Sequence, residues 1–148
     1  MVAALLGLDV GERRIGVAVS DPDANFALPL RSLDGRQPPV AMNEIAGLAQ
    51  DHNAEAVVVG LPLSLGGGDS AQTESVRTFA HDLEQRLSLP VHLWDERLST
   101  QEAMRRVTDG SPRGRSRKSR ASEADTDAIA ASIILQAYLD HQRLAARD

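Results

Sequence analysis

The first 34 residues contain three short strand-like segments joined by links too short for a helix, and this feature constrains the fold most. "ALLGLDV" is short and aliphatic and ends at Gly11. "RIGVAVSD" follows after a short turn and alternates large and small residues, so the two segments predict an antiparallel pair. "FALPLRSL" is a weaker third strand, and Pro29 favours an edge position for it.

After this meander, strand and helix patterns alternate along the chain. Strands are predicted at "AEAVVVGLP" and "LPVHLWDE", and helices at "PVAMNEIAGLAQDH", "SAQTESVRTFAHDLEQRL", "STQEAMRRVTDG" and "SEADTDAIAASIILQAYLDHQRLAA". Asp69 or Ser70 is the predicted N-cap of the second helix, with Gln72 completing a capping box after Asp69. Right-handed crossovers then predict an α/β fold with a five-stranded mixed sheet. Its first three strands are antiparallel, its last two are parallel, and helices cover both faces, as in ribonuclease H-like domains.

The length and composition predict one cytoplasmic domain spanning residues 1–148. The chain has no cysteine, which excludes disulfide scaffolds, thiolate zinc sites and cysteine nucleophiles. Its N-terminal apolar run is interrupted by Asp9 and does not resemble a signal peptide. We expect no membrane association, because no apolar run approaches the roughly 20 residues that a membrane helix needs.

Positive charge is concentrated in one segment, "SPRGRSRKSR", at residues 111–120. This segment carries five basic residues and no acid, whereas the whole chain has a net charge of -5. A local positive field of this kind steers polyanions, although a solvated loop is an equally good interpretation of the segment alone. The basic residues predicted to contact backbone phosphates are Arg113, Arg115, Arg117, Lys118 and Arg120.

Carboxylates interrupt the apolar pattern at three places. Asp9 lies within the first strand, Asp95 and Glu96 end the fifth, and Asp125 and Asp127 begin the last helix. Acids at a strand exit or in the first turn of a helix are common structural features. Asp9 is different, because burying a lone carboxylate costs several kcal/mol or forces it to take up a proton.

Asp9 therefore needs a partner, and the sequence leaves two kinds open. Arg13, Arg14 or Arg97 could pair with it, or it could bind a metal ion. The metal is favoured because functional sites in open α/β sheets lie at the carboxyl ends of strands. In the last helix, Asp127 shares a helical face with Ala131, Ile134 and Tyr138, so it is predicted to face the sheet. Three converging carboxylates suit Mg²⁺ or Mn²⁺, and two such ions can align the hydrolysis of a phosphodiester.

Four segments together resemble the YqgF/RuvX family of pre-16S rRNA nucleases, which is related to the RuvC Holliday-junction resolvases. They are "LGLDVGERRIGVAVSD", "VVVGLPLSLGGGDSAQTESVRTFAHDL", "VHLWDERLSTQEA" and "TDAIAASIILQAYLD", and they cover nearly the whole chain in order. The resemblance implies a ribonuclease H-like fold, a cytoplasmic nuclease that depends on a divalent metal, and a role in maturing the 5′ end of 16S rRNA.

The resemblance also assigns site residues. It implies Asp9, Glu96 and Asp127 as the catalytic and metal-binding acids, with Asp95 and Asp125 as further metal-ligand candidates. Two departures stand out: Ala128 follows the helix acid where the family often has a basic residue, and "ASEAD" separates the basic loop from Asp127. The strand before "GLP" also lacks the acid that resolvases carry there, so the resemblance does not imply resolvase activity.

Other nucleic-acid contacts and other functions remain open. Gly67 and Gly68, in a glycine loop before a helix, and Arg97, next to Glu96, are further candidates for phosphate contact. The expected partner is pre-rRNA, with branched or single-stranded DNA as alternatives, and the chain is expected to be a monomer or a homodimer. The alternative functions are a Holliday-junction or other DNA nuclease in repair, a nucleic-acid-binding module without catalysis, and an actin-like ATPase. The last of these needs two duplicated domains, and 148 residues hold one.

Overall fold

The structure, a computed structural model, describes residues 4–63, 70–98 and 123–147. Its elements are β1 (Ala4–Val10), β2 (Arg14–Ser20), β3 (Ala27–Asp34), α1 (Pro38–Asp51), β4 (Ala54–Leu61), α2 (Ala71–Leu87), β5 (Val91–Asp95) and α3 (Glu123–Arg147). The predicted helix at 99–110 lies outside the described residues. So do Gly67 and Gly68 and the basic residues Arg113, Arg115, Arg117, Lys118 and Arg120.

The five strands form one mixed sheet in the order β3-β2-β1-β4-β5. β1 pairs antiparallel with β2, and β2 pairs antiparallel with β3, while β4 is parallel to both β1 and β5. This confirms the predicted fold class, including the edge position of β3. The carboxyl ends of β1, β4 and β5 therefore lie along the same side of the sheet, together with the start of β2 and the end of β3. We call this side, which runs across the strands, the carboxyl-end edge.

The two faces of the sheet are covered by different helices. Alternate β1 residues, Leu6 and Leu8, pack with α1 and α2 in the larger aliphatic core. α3 covers the opposite face, where Ala131, Ile134 and Leu135 pack around Val58. Because side chains alternate along a strand, Gly7 and Asp9 face α3. Among the described helices, none combines the length and apolar character that a membrane crossing requires.

The start of α2 differs from the predicted capping box. Ser70 is the N-cap, and Thr73 rather than Gln72 completes the box: the Ser70 Oγ accepts from the Thr73 backbone N–H, and the Thr73 side chain accepts from the Ser70 N–H. Thr73 is fully buried, and its hydroxyl also donates to the carbonyl oxygen of Pro62. The hydroxyl therefore joins the start of α2 to the segment that follows β4, which an exposed glutamine could not do.

Candidate active site

Asp9 lies near the carboxyl end of β1, opposite Gly16 of β2 and on the face covered by α3. It is partly buried, and burial, followed by the negative charge of Asp127, raises the pKa of its carboxyl group. Within the described part of the chain, no side chain or backbone N–H contacts this carboxylate as a hydrogen-bond donor or cation. The arginine partner that the sequence left open for Asp9 is therefore not found among the described residues.

Glu96 directly follows β5, and its backbone N–H donates to the carbonyl oxygen of Leu61, 3.1 Å away. Its side chain lies over Gly60 of β4, where a Cβ atom would come within 2.9 Å of Glu96 Oε2. Burial, then the negative charges of Asp9 and Asp95, raises the pKa of Glu96 to about 7. The absence of a side chain at Gly60 thus makes the space that lets this carboxylate turn inward.

Asp127 reaches the sheet from the first turns of α3. Its helix lies so close to β2 that a Cβ atom on Gly16 would be 1.9 Å from the backbone oxygen of Asp127. The Asp127 carboxylate accepts hydrogen bonds from Arg14 Nε at 2.6 Å and from Ser32 Oγ at 3.1 Å, both to Oδ2. The predicted inward face of the helix is confirmed, since Ala131 and Ile134 on the same face are buried.

The structure therefore gathers the three predicted acids from three distant parts of the chain, with Asp9 between the other two. The charge of Asp127 acts on Asp9, and the charge of Asp9 acts on Glu96. Like charges held close together in a partly buried site favour the binding of a proton or a cation. In the described ranges, no three histidine or acidic side chains are arranged to hold a metal ion as they stand. In this arrangement Arg14 already occupies one oxygen of Asp127.

The two further acid candidates have different surroundings. Asp95 forms a two-pronged ion pair with Arg97, with Arg97 Nη2 2.7 Å from Asp95 Oδ2 and Nε 3.0 Å from Oδ1. The hydrogen bond from Arg97 lowers the pKa of the Asp95 carboxyl group. Asp125 belongs to the first turn of α3, and its side chain lies outside the described residues. The roles of Asp95, Asp125 and Arg97 stay predictions.

Sequence reasoning missed four residues that shape the site: Arg14 and Ser32 as holders of Asp127, and Gly16 and Gly60 as the positions that admit Asp127 and Glu96. A signal existed for Gly16, because it alternates with Ile15 and Val17 and belongs to the small-residue face of β2. Arg14 was considered only as a partner of Asp9. Ser32 had no signal, since its contact with Asp127 joins residues 95 positions apart.

The strand order and the helices on the two faces of the sheet define a ribonuclease H-like fold. RuvC from T. thermophilus, solved in complex with a Holliday junction substrate, aligns with a TM-score of 0.64 at 14% sequence identity, covering 97% of this chain and 96% of that one. The Fowlpox virus resolvase, solved with Holliday junction DNA, aligns with a TM-score of 0.53 at 11% identity over 94% of this chain and 98% of its own. At these identities the likeness concerns the fold.

The chain belongs to the RuvX family. The family model, described as "RuvX: Holliday junction resolvase", matches residues 3–141. A protein of Chloroflexus aurantiacus named "Putative pre-16S rRNA nuclease" is 45% identical over 139 residues, covering 94% of this chain and 88% of its own length. One of the same name from Maridesulfovibrio salexigens is 38% identical over 135 residues, covering 91% and 96%. These relatives confirm the family predicted from the motifs and the nuclease class that goes with it.

Proposed function

We propose that this protein is a divalent-metal-dependent nuclease that hydrolyses phosphodiester bonds of RNA and processes the 5′ end of pre-16S rRNA in the cytoplasm. One observation carries the proposal: Asp9, with no cationic partner in the described residues, lies between Glu96 and Asp127 at the carboxyl ends of the strands, where open α/β sheets bind their ligands. The names of the relatives from Chloroflexus aurantiacus and Maridesulfovibrio salexigens support RNA as the substrate.

The chemistry of the side chains fits a hard dication. Asp9, Glu96 and Asp127 offer only carboxylate oxygens, which are the ligands that Mg²⁺ and Mn²⁺ prefer. The raised pKa values of Asp9 and Glu96 have the same origin, because burial and mutual repulsion disfavour two anions without a compensating charge. A bound dication supplies that charge, activates water and stabilises the negative charge that develops on the phosphate. The binding of two ions, which the three converging carboxylates predict, is part of this proposal.

The residues around the three acids have distinct tasks in this proposal. Asp9 is the central ligand, because its charge acts on the acids at both sides. Arg14 and Ser32 hold the Asp127 carboxylate from β2 and β3 and fix its direction. Glu96, with a pKa of about 7, is the group that exchanges a proton near neutral pH while no cation compensates the acids.

Cleavage of branched DNA is the second candidate, and the resemblance of the fold to RuvC at a TM-score of 0.64 is the observation that favours it. The interior of β4 argues for RNA instead. Residues 56–61 contain no acidic side chain, whereas the resemblance to the RuvX and RuvC proteins implies a further acid there in resolvases.

The test compares wild-type protein with Asp9→Asn on two end-labelled substrates, a pre-16S rRNA fragment and a four-way DNA junction. Each is incubated with Mg²⁺, with Mn²⁺ and with EDTA. The proposal expects wild-type protein to cleave the rRNA precursor only with a metal, and Asp9→Asn to bind the RNA without cleaving it. Cleavage of the junction alone supports the second candidate. RNA binding without cleavage under any condition supports a non-catalytic binding module and contradicts the proposal.

A further inference from the structure

A basic pocket of about 380 Å³ lies beside the residues that hold Asp127, on the β3 side of the sheet. It is formed by the β1–β2 turn, the start of β2 and the end of β3, all at the carboxyl-end edge. Its lining residues are Arg13, Arg14, Ser32, Leu33, Asp34 and Arg36. Three arginines around one small pocket are a composition typical of phosphate recognition.

The walls of this pocket are fixed by the backbone. The Gly35 N–H donates to the carbonyl oxygen of Arg13 at 2.7 Å, and this bond ties the end of β3 to the β1–β2 turn. Within the turn, the Gly11 N–H donates to the carbonyl oxygen of Arg14 at 2.9 Å. The pocket is therefore held by main-chain hydrogen bonds between neighbouring strands, so the arginines project from a rigid frame.

The arginines keep donors for a ligand. Arg36 uses Nε and one hydrogen of Nη2 for Asp34, in an exposed ion pair, and a guanidinium has five N–H donors. No carboxylate within the described residues pairs with Arg13, which is exposed. An exposed ion pair such as Arg36–Asp34 contributes little to stability, so an incoming phosphate can share its arginine.

The pocket is connected to one of the three acids, Asp127, through two of its lining residues. Ser32 and Arg14 line the pocket, and both also contact Asp127 Oδ2. Arg14 and Ser32 thus link the pocket to Asp127, one of the proposed metal-binding acids. The predicted contact residue Arg97 follows β5, at the opposite end of the strand order. A nucleic-acid strand that lies across the carboxyl-end edge would therefore meet arginine side chains on both sides of Asp9.

We infer that Arg13 and Arg36, in the pocket whose inner wall is Arg14 and Ser32, bind a backbone phosphate of the substrate strand close to the scissile bond. The inference deepens the proposed function and rests on it, because it names where the same substrate is held. Arg14 is already engaged with Asp127, so it positions the acid while Arg13 and Arg36 supply the new contacts. A backbone contact of this kind adds affinity without sequence preference.

The test measures binding of labelled single-stranded RNA by fluorescence anisotropy in Mg²⁺, with Asp9→Asn present in every protein so that RNA stays intact. Arg13→Gln/Arg36→Gln is compared with Arg31→Gln/Arg143→Gln, which removes the same charge from exposed arginines that do not line the pocket. We expect the pocket variant to weaken binding about tenfold and to lower the slope of log Kd against log salt by about 0.7, the value for one phosphate contact on a single strand. The control is expected to change Kd less than about twofold, because it changes only the net charge of the protein and salt screens distant charges.

Equal losses in the two double variants, or no loss in either, would overturn the inference. Thermal unfolding of both variants verifies that the fold is retained. Failure of the proposed function is recognised separately, as absence of cleavage by wild-type protein that still binds RNA. A binding difference between the two variants supports the pocket in either case, because this readout needs no catalysis.

Discussion

Arg14 of β2 holds Asp127 of α3 through a contact of 2.6 Å between Arg14 Nε and Asp127 Oδ2. The two residues are 113 positions apart in the chain. This ion pair compensates one of three neighbouring acids while leaving Asp9 without a cationic partner among the described residues. Arg14 therefore supplies part of the positive charge that we assign to a metal ion. We expect a bound metal ion to compensate Asp127 when Arg14 is removed.

Removing Arg14 is expected to destabilise the protein only when metal is absent. In EDTA, Arg14→Gln should lower the free energy of unfolding by about 1 kcal/mol, because the pair is partly exposed and screened by solvent. In saturating Mn²⁺ the difference should shrink toward zero, since the cation compensates Asp127. Denaturant unfolding measures both values. Arg143→Gln, which breaks the Arg143–Asp140 pair elsewhere on α3, is the control and should show the same small effect with and without metal. An Arg14→Gln effect that metal does not change would contradict this prediction.

The stability of the metal-free protein should fall as the pH rises from about 4.5 to about 7. The folded protein holds a proton on Glu96 up to its pKa of about 7, whereas the ordinary value of 4.5 applies in the unfolded chain. The folded state therefore binds more protons in this window, and raising the pH removes its advantage. Thermal unfolding in EDTA between pH 4 and pH 8 measures the trend.

Glu96→Gln should make this pH dependence clearly flatter, because an amide does not titrate. Glu44→Gln, at an exposed position of α1, is the matched control and should keep the wild-type slope. Some dependence remains in Glu96→Gln because the pKa of Asp9 is also raised. An unchanged slope in Glu96→Gln would show that Glu96 is not the titrating group.

A methyl group at Gly16 should disrupt the site by pushing α3 away from the sheet. The added Cβ of Gly16→Ala would meet the Asp127 backbone oxygen at 1.9 Å, which neither backbone can tolerate without moving. We expect a loss of about 2–4 kcal/mol in the free energy of unfolding and loss of RNA cleavage. Gly47→Ala is the control, because its Cβ meets no atom within 4 Å on an exposed face of α1 and should stabilise by about 0.5–1 kcal/mol. If Gly16→Ala were as stable as wild type, the close approach of α3 to Gly16 would be ruled out.

The described elements and the positions of Asp9 and Asp127 in the fold could be predicted because their signals are local. The short link between β1 and β2 dictates their antiparallel pairing, and helical spacing directs Asp127 inward together with Ala131 and Ile134. The alternation of side chains along β5 could not show which of Asp95 and Glu96 belongs to the site. The family motif decided that choice. In the structure Glu96 turns over Gly60, whereas Asp95 pairs with Arg97.

The contacts between the acids and their neighbours could not be predicted from local signals. Arg14 pairs with Asp127 rather than Asp9, which depends on how α3 is positioned over β2. The capping residue Thr73 was missed for a similar reason, since its hydroxyl is selected by burial against Pro62. Such contacts depend on the docking of distant segments, which hydrophobic periodicity does not encode.

The central claim is that Asp9, Glu96 and Asp127 bind a divalent cation together, and titration of the metal-free protein with Mn²⁺ at pH 8 tests it most directly. Free Mn²⁺ is measured by electron paramagnetic resonance for wild type, Asp9→Asn and Asp82→Asn, an exposed acid of α2. Asp9→Asn should weaken binding at least about tenfold while remaining as stable as wild type in EDTA, because it removes a repelled, partly buried charge. Asp82→Asn should bind Mn²⁺ like wild type. Equal Mn²⁺ binding by wild type and Asp9→Asn, or no binding by wild type, would contradict the account.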